Sequence, residues 1–302
     1  MLHMMQRTLS SSLSLSGVGL HSGEQVELTL LPASDDHGIV FERVDLDPPV
    51  KVPLDPFRVF DTLMSTNIDF DGVRIATAEH LMSALAGLGI DNLLVQVNSS
   101  EMPIMDGSAQ VFVDAILATG IREQRQTKKF IKVLKPVSVT HEDKQASLAP
   151  HDGFTVDFRI DFDHPVFADQ QQRVYELSTE NYINQIGYAR TFGFEKDLEY
   201  LKQNNLARGG SLQNAVVLSA DGLLNPEGLR QPDELLSHKV LDAVGDLYLS
   251  GHQILGHFSA VKSGHMLNNR LLQALLSEPE SFEWVSFTKD CPIEYIEAKA
   301  AQ

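Results

Sequence analysis

An α+β fold made by duplicating a β-β-α unit is what this sequence predicts, and three observations carry it. Each half holds a strand-like run, a turn rich in Pro, Asp and Gly, and a second strand-like run: Leu31-Pro32-Ala33-Ser34-Asp35-Asp36-His37-Gly38-Ile39-Val40-Phe41-Glu42-Arg43, and Leu148-Ala149-Pro150-His151-Asp152-Gly153-Phe154-Thr155-Val156-Asp157-Phe158-Arg159. Such a pattern reads as a hairpin. Each half then holds a helical segment with a histidine near its start and a glycine seven residues later, His80 with Gly87 and His238 with Gly245. The features recur in the same order, the signature of an internal repeat.

The elements follow in sequence. Leu13 and Leu15 alternate with serines and read as a strand. After the first hairpin, Thr77 is placed to cap a helix through Ala78-Glu79-His80-Leu81-Met82-Ser83-Ala84-Leu85. Pro103-Ile104-Met105-Asp106-Gly107-Ser108-Ala109 is a turn, followed by a helix from Val111 to Thr119 that Gly120 ends. The polar stretch Arg122 to Lys129 lacks apolar periodicity and reads as a linker, dividing the chain into 1–126 and 127–302. The second half carries about 43 more residues between hairpin and helix than the first. The surplus falls at about 188–220, with a helical patch at Leu198 and Leu201, a turn at Gly209-Gly210 and the apolar run Ala215 to Leu218. Lys262-Ser263-Gly264-His265 ends the apolar run holding Ile254, Leu255 and Phe258.

Composition removes several classes of function. The 302 residues carry a formal net charge of −17, which opposes nonspecific binding to nucleic acid and docking on an anionic membrane. No apolar run approaches the roughly 20 residues that cross a bilayer, and the N-terminus does not read as a signal peptide. Cys291 is the one cysteine, so no intrachain disulfide forms; this usage fits a cytoplasmic, reducing compartment. An anionic small substrate stays compatible if Lys144, Lys239 and Lys262 are near it.

The segment most directly suggestive of chemistry is Ser237-His238-Lys239-Val240-Leu241-Asp242-Ala243-Val244-Gly245-Asp246. His238, Asp242 and Asp246 recur every fourth residue and stack on one helix face. Beside the apolar Val240, Leu241, Val244 and Leu247, that polar stripe is either solvated or needs a buried partner, and a divalent metal is one. If the two halves pack by an approximate twofold, His80 approaches the stripe from the opposite side. Two imidazoles and a carboxylate with an open fourth position describe a catalytic site. Glu79 then stands ready to take a proton from water; its plainer reading is a carboxylate favoured at a helix N-terminus. His265 on a glycine-flanked loop is a candidate general acid, and Thr191 offers a hydroxyl beside Phe192 and Phe194.

Taken together and in order, Gln6-Arg7-Thr8-Leu9, Gly17 to His21, Glu79-His80-Leu81, Ala84 to Asn92, Pro103 to Ala109, Ala189 to Phe194, His238-Lys239 with Asp242 and Asp246, and Lys262 to His265 span nearly the whole chain. In these motifs the sequence resembles the zinc-dependent UDP-3-O-acyl-N-acetylglucosamine deacetylases of Gram-negative lipid A synthesis. The resemblance implies two β-α-α-β sandwich domains with the active site at their interface. It implies a small insert near 45–65 with Leu63 at the site's edge, and an insert near 190–218 forming a passage for an acyl chain. It implies Zn2+, or Fe2+ in the cell, on His80, His238 and Asp242. Glu79 is then the general base, Thr191 the oxyanion donor, and His265, held by Asp246, the general acid. The implied substrate contacts are Leu63, Lys144, Asp161, Phe162, Phe192, Phe194, Leu198, Ala207, Gly210, Ser211 and Lys239, with Phe162 stacking on uracil. The implied partner is an acylated UDP-sugar, with no nucleic acid, no stable membrane insertion and no obligate protein partner. Two alternatives stay open: a sugar-nucleotide binding protein with a structural zinc, and a zinc amidohydrolase acting on another amide.

Overall fold

The computed structural model describes residues 4–167, 171–288 and 290–298. The first half runs β1 (Met5–Leu9), β2 (Leu13–Val18), β3 (Gln25–Pro32), β4 (Ile39–Arg43), β5 (Val50–Pro53), β6 (Val59–Asp61), β7 (Asn67–Phe70), β8 (Val73–Ile75), α1 (Glu79–Leu88), β9 (Leu93–Val97), α2 (Gln110–Thr119) and β10 (Ile121–Thr127). The second runs β11 (Phe130–Val133), β12 (Val137–His141), β13 (Lys144–Ala149), β14 (Phe154–Arg159), β15 (Gln172–Glu176), α3 (Thr179–Gln185), β16 (Phe192–Phe194), α4 (Leu198–Gln203), β17 (Val216–Leu218), α5 (Glu234–Leu247), β18 (Gln253–Val261), α6 (His265–Ser277) and β19 (Phe282–Val285). The fold is α+β.

The halves repeat one topology. The first sheet is ordered β2-β3-β9-β4-β5, with β9 parallel to β4 and antiparallel to β3. The second contains the same path, β12-β13-β18-β14-β15, with β18 parallel to β14 and antiparallel to β13. At its middle, Val95 lies between Leu30 and Phe41; in the second half Phe258 lies between Leu148 and Val156. All six side chains are buried. The β1–β10 ribbon corresponds to the β11–β19 pair, both antiparallel.

Three local expectations are corrected. Neither turn closes a hairpin: β3 and β4 flank β9, and β13 and β14 flank β18. Alternation reports which face of a strand is buried, not which strand lies beside it, so a later apolar strand can enter between the two arms. Thr77 does not cap α1. It sits at φ +56° and its hydroxyl donates to Glu101 Oε1 at 3.3 Å. That buried carboxylate also accepts the backbone N–H of His21 and Ser22. The stretch at 122–129 is not a linker: β10 occupies 121–127, and Lys128 is fully buried, donating to Asp91 Oδ1 at 2.6 Å and to the Gly89 carbonyl. A two-stranded ribbon satisfies its backbone by pairing with β1, so polar side chains suffice on its open face.

Helix packing places the site. All ten residues of α1 are buried, and α5 buries every residue except Lys239. Leu81, Leu85 and Leu88 each contribute about 1.5–3 kcal/mol by leaving water. The two helices pack against each other closely enough that a Cβ at Gly245 would overlap the Glu79 carbonyl. A Cβ at Gly87 would overlap the Tyr182 ring. Thus the two glycines seven residues beyond the histidines are both points of close approach, and the one on α5 fixes its distance from the start of α1. Among the described residues, no helix is long and apolar enough to cross a membrane.

Candidate active site

The start of α1, the middle of α5 and the start of α6 meet the segment 189–194 around a cleft of about 410 Å³. Glu79 and His80 enter it from the first turn of α1. His238, Lys239 and Asp242 come from successive turns of α5, His265 opens α6, and Thr191 and Phe192 form the facing wall.

Three donor atoms converge. Asp242 Oδ1 lies 3.3 Å from His238 Nε2 and 3.8 Å from His80 Nε2. One ligand atom from each of the three residues lies within 4.8 Å of the other two, and all three residues are buried. A divalent ion held tetrahedrally at about 2.0–2.2 Å spaces its ligand atoms by about 3.3–3.6 Å, so the group fits such an ion. The hydrogen bonds around the donors fit as well. His238 Nδ1 is 3.0 Å from the Ala189 carbonyl, a contact that takes the ring's N–H and leaves a lone pair on Nε2. Lys239 Nζ donates to Asp242 Oδ2 at 2.7 Å, leaving Oδ1 to face the histidines. His80 Nδ1 is buried without a hydrogen-bond partner, so the protein itself does little to satisfy this ring.

Protonation states agree with that donor set. Burial, with His238 nearby, lowers the His80 pKa to about 3, and burial also lowers His238. Both rings are therefore neutral at pH 7, with lone pairs free. Burial works against the Asp242 carboxylate, but His238, Lys239, His265 and His80 outweigh it and hold its pKa far below the usual range.

Beside this donor group, Glu79 and His265 face each other in the same cleft. Burial pushes Glu79 up to about 8, opposed by His265 and assisted by Asp246 and Asp242. Burial also disfavours the His265 imidazolium, but the charge and hydrogen bond of Asp246 overcome it and raise the pKa to about 9. His265 Nδ1 lies 2.9 Å from Asp246 Oδ2, and its Nε2 is 3.8 Å from Glu79 Oε1. The cluster thus holds a carboxyl that titrates close to neutrality and an imidazole that is charged at pH 7.

Of the remaining residues expected at the site, Lys144 and Phe162 line the cleft. Phe162 stacks on Phe167 with centroids 4.6 Å apart and meets Phe192 edge-on at 5.9 Å, and Phe192 in turn meets His238 at 6.3 Å. Asp161 pairs at 2.6 Å with Lys262, which lines the cleft, and Asp246 is fully buried behind His265. Leu63 and Leu198 are exposed, and Phe194 packs on Phe162. Ala207, Gly210 and Ser211 belong to a loop folded on Leu20 and His21 rather than to the cleft wall. Sequence reasoning assigned no site role to Leu20, Met64, Ile104, Met266 and Leu267, apolar residues from three loops and the first turn of α6 that line the cleft. It also missed Thr66 and Asn268, which reach Asp246 from separate loops and helices. No local pattern marks any of them as part of a site.

A sequence model of the LpxC family, described as UDP-3-O-acyl N-acetylglycosamine deacetylase, matches residues 6–277. Among curated relatives, a UDP-3-O-acyl-N-acetylglucosamine deacetylase of Acinetobacter baumannii (strain AYE) is 52% identical over 294 residues, covering 96% of this chain and 98% of the relative. Proteins with the same description from Idiomarina loihiensis and Cellvibrio japonicus are 53% and 50% identical, covering 94% and 96% of this chain and 94% and 97% of their own lengths.

Proposed function

This chain belongs to the LpxC family of UDP-3-O-acyl N-acetylglycosamine deacetylases, and from that premise we propose how its residues divide the work. The reaction is hydrolysis of the N-acetyl group of UDP-3-O-acyl-N-acetylglucosamine in lipid A synthesis. Its products are acetate and the free amine.

His80, His238 and Asp242 hold the metal, which we take to be zinc; the same donors also accept Fe2+. A metal held by these three residues would supply Lewis acidity toward water and the acetyl carbonyl. Glu79 Oε takes the proton of the attacking water. Thr191 Oγ1 donates to the carbonyl oxygen as negative charge develops on it. His265 Nε2, charged because Asp246 holds Nδ1, stabilises that charge and gives its proton to the departing amine nitrogen. Lys239 keeps Asp242 turned toward the two histidines. Lys144, Asp161 and Phe162 face the nucleotide, with Phe162 offering its open ring face to uracil. Phe192 packs on the sugar. Leu63, Phe194, Leu198, Ala207, Gly210 and Ser211 follow the acyl chain outward. Residues 1–126 and 127–302 act as two units that meet at the site, and the enzyme works in the cytoplasm.

The observation that carries this reading is the convergence of three lone-pair atoms from two halves of the chain, with Glu79 and His265 across the same cleft. Acetate release from UDP-3-O-acyl-N-acetylglucosamine, measured with and without a chelator, tests it. We expect turnover to vanish on chelation and return with added Zn2+, and His80→Ala to lose both metal and turnover. Full activity in chelator, or unchanged metal content in His80→Ala, would refute the assignment.

A further inference from the structure

Thr66 lies in the loop between β6 and β7, is fully buried, and does not line the cleft. It makes two connections at once. Its hydroxyl donates to Asp246 Oδ1 at 2.5 Å, and its backbone N–H donates to Glu79 Oε2 at 3.1 Å. Asp246 also receives Asn268 Nδ2 at 2.9 Å, and Asn268 is held in turn by the Ser263 hydroxyl at 2.7 Å. The Asp246 carboxylate therefore sits between three donors from two elements: Thr66 in the β6–β7 loop of the first half, and Asn268 and His265 on α6.

We propose that Thr66 is a positioning residue that fixes the Asp246–His265 pair and Glu79 in one geometry across the two halves of the chain. The inference rests on the reading that Glu79 and His265 move the protons. Without the hydroxyl, Asp246 Oδ1 keeps only the longer 3.2 Å contact to His265 Nδ1. The carboxylate is then held firmly only through Oδ2, by Asn268 and His265, so it can pivot about that oxygen and carry the imidazole with it. Side chains that transfer protons lose rate steeply when displaced by a fraction of an ångström. Substrate binding should be unaffected, because Thr66 is not among the residues that line the cleft.

The test compares Thr66→Val, which keeps the volume and removes the hydroxyl, with Thr66→Ser, which keeps the hydroxyl. In the metal-loaded enzyme we expect Thr66→Val to lower kcat about 10- to 100-fold, the worth of a buried hydrogen bond to a charged group, with KM and metal content unchanged. Thr66→Ser should stay within about threefold of the parent. By NMR, the His265 Nδ1–H resonance should move in Thr66→Val and hold its place in Thr66→Ser. If Thr66→Val fails to fold, Thr66→Ala against Thr66→Ser gives the same comparison. Glu79→Ala and His265→Ala separate this inference from the reading beneath it. Near-normal turnover in those two overturns the proton-transfer roles. Large losses there, with Thr66→Val within threefold or Thr66→Ser as impaired as Thr66→Val, overturn the role of Thr66 alone.

Discussion

α1 and α5 hold the same place in two copies of one topology, each leading into the central strand of its sheet, yet they carry different chemistry. Aligned on His80 and His238, the close-approach glycines Gly87 and Gly245 coincide. The position of Asp242 is Ala84 in α1, that of Asp246 is Leu88, and that of Glu79 is Ser237 in α5. Ser237 is tied to the hydroxyls of Tyr175 and Tyr188 instead of facing the cleft. Duplication thus supplies a scaffold that brings two helix faces together, while a few substitutions make the pair asymmetric. The asymmetry has an electrostatic reason. A symmetric site would bury twice as many carboxylates around the same space, and the added ones would lack the cations that Lys239 and His265 supply.

The largest difference expected between the two faces lies at the matched pair Glu79 and Ser237. Glu79→Gln should retain metal and lose about 10²–10⁴ in kcat, the usual worth of a general base. Ser237→Ala should cost about 1 kcal/mol of stability and leave kcat within about threefold, because Tyr175 and Tyr188 keep Asp233 as a partner. Acetate release and thermal melting read the two effects. Equal losses of kcat would mean that both halves contribute to proton transfer.

The matched glycines give a smaller contrast. Overpacking at either should cost about 1–3 kcal/mol. Gly87→Ala pushes on the Tyr182 ring, away from the cleft, and should lower Tm by a few degrees with kcat within about threefold. Gly245→Ala pushes on the Glu79 carbonyl and should lower kcat about 10- to 100-fold as well, since it shifts the base relative to α5. Equal kcat in the two variants would remove the close helix approach as the device that sets the site.

Much of this was legible in the sequence because it is local. The i, i+4 recurrence of His238, Asp242 and Asp246, the histidine–glycine spacing of both helices and the strand–turn–strand runs all follow from periodicity within one element. What stayed hidden depends on chain segments far apart. The entry of β9 and β18 between the arms of each turn is a sheet-level choice. Lys128 looks like a surface lysine until Asp91, 37 positions away, is seen beside it. Thr66 is one threonine in a loop, and its meaning lies 180 positions away at Asp246.

His80 and His265, one from each half, should also titrate in opposite senses in the metal-free protein, which gives the smallest and finest comparison. His80 has its folded pKa lowered from 6.5 to about 3, so its contribution to stability is present above pH 6.5 and is lost as pH falls toward 3. His265 has its folded pKa raised from 6.5 to about 9, so its contribution is present below pH 6.5 and is lost as pH rises through 9. Glu79, raised from 4.5 to about 8, also loses its contribution as pH rises, but over a window that begins lower. Melting curves of metal-free protein from pH 4 to pH 10 should therefore show His80→Gln flattening the acid limb and His265→Gln flattening the alkaline one. Glutamine cannot titrate, so each variant removes one slope, while His21, His238 and His252, whose pKa values burial also lowers, stay on the acid limb of both curves. If His265→Gln left the alkaline limb as steep as before, Asp246 would not be holding a charged imidazole, and the proposed role of His265 as proton donor would have to be redrawn.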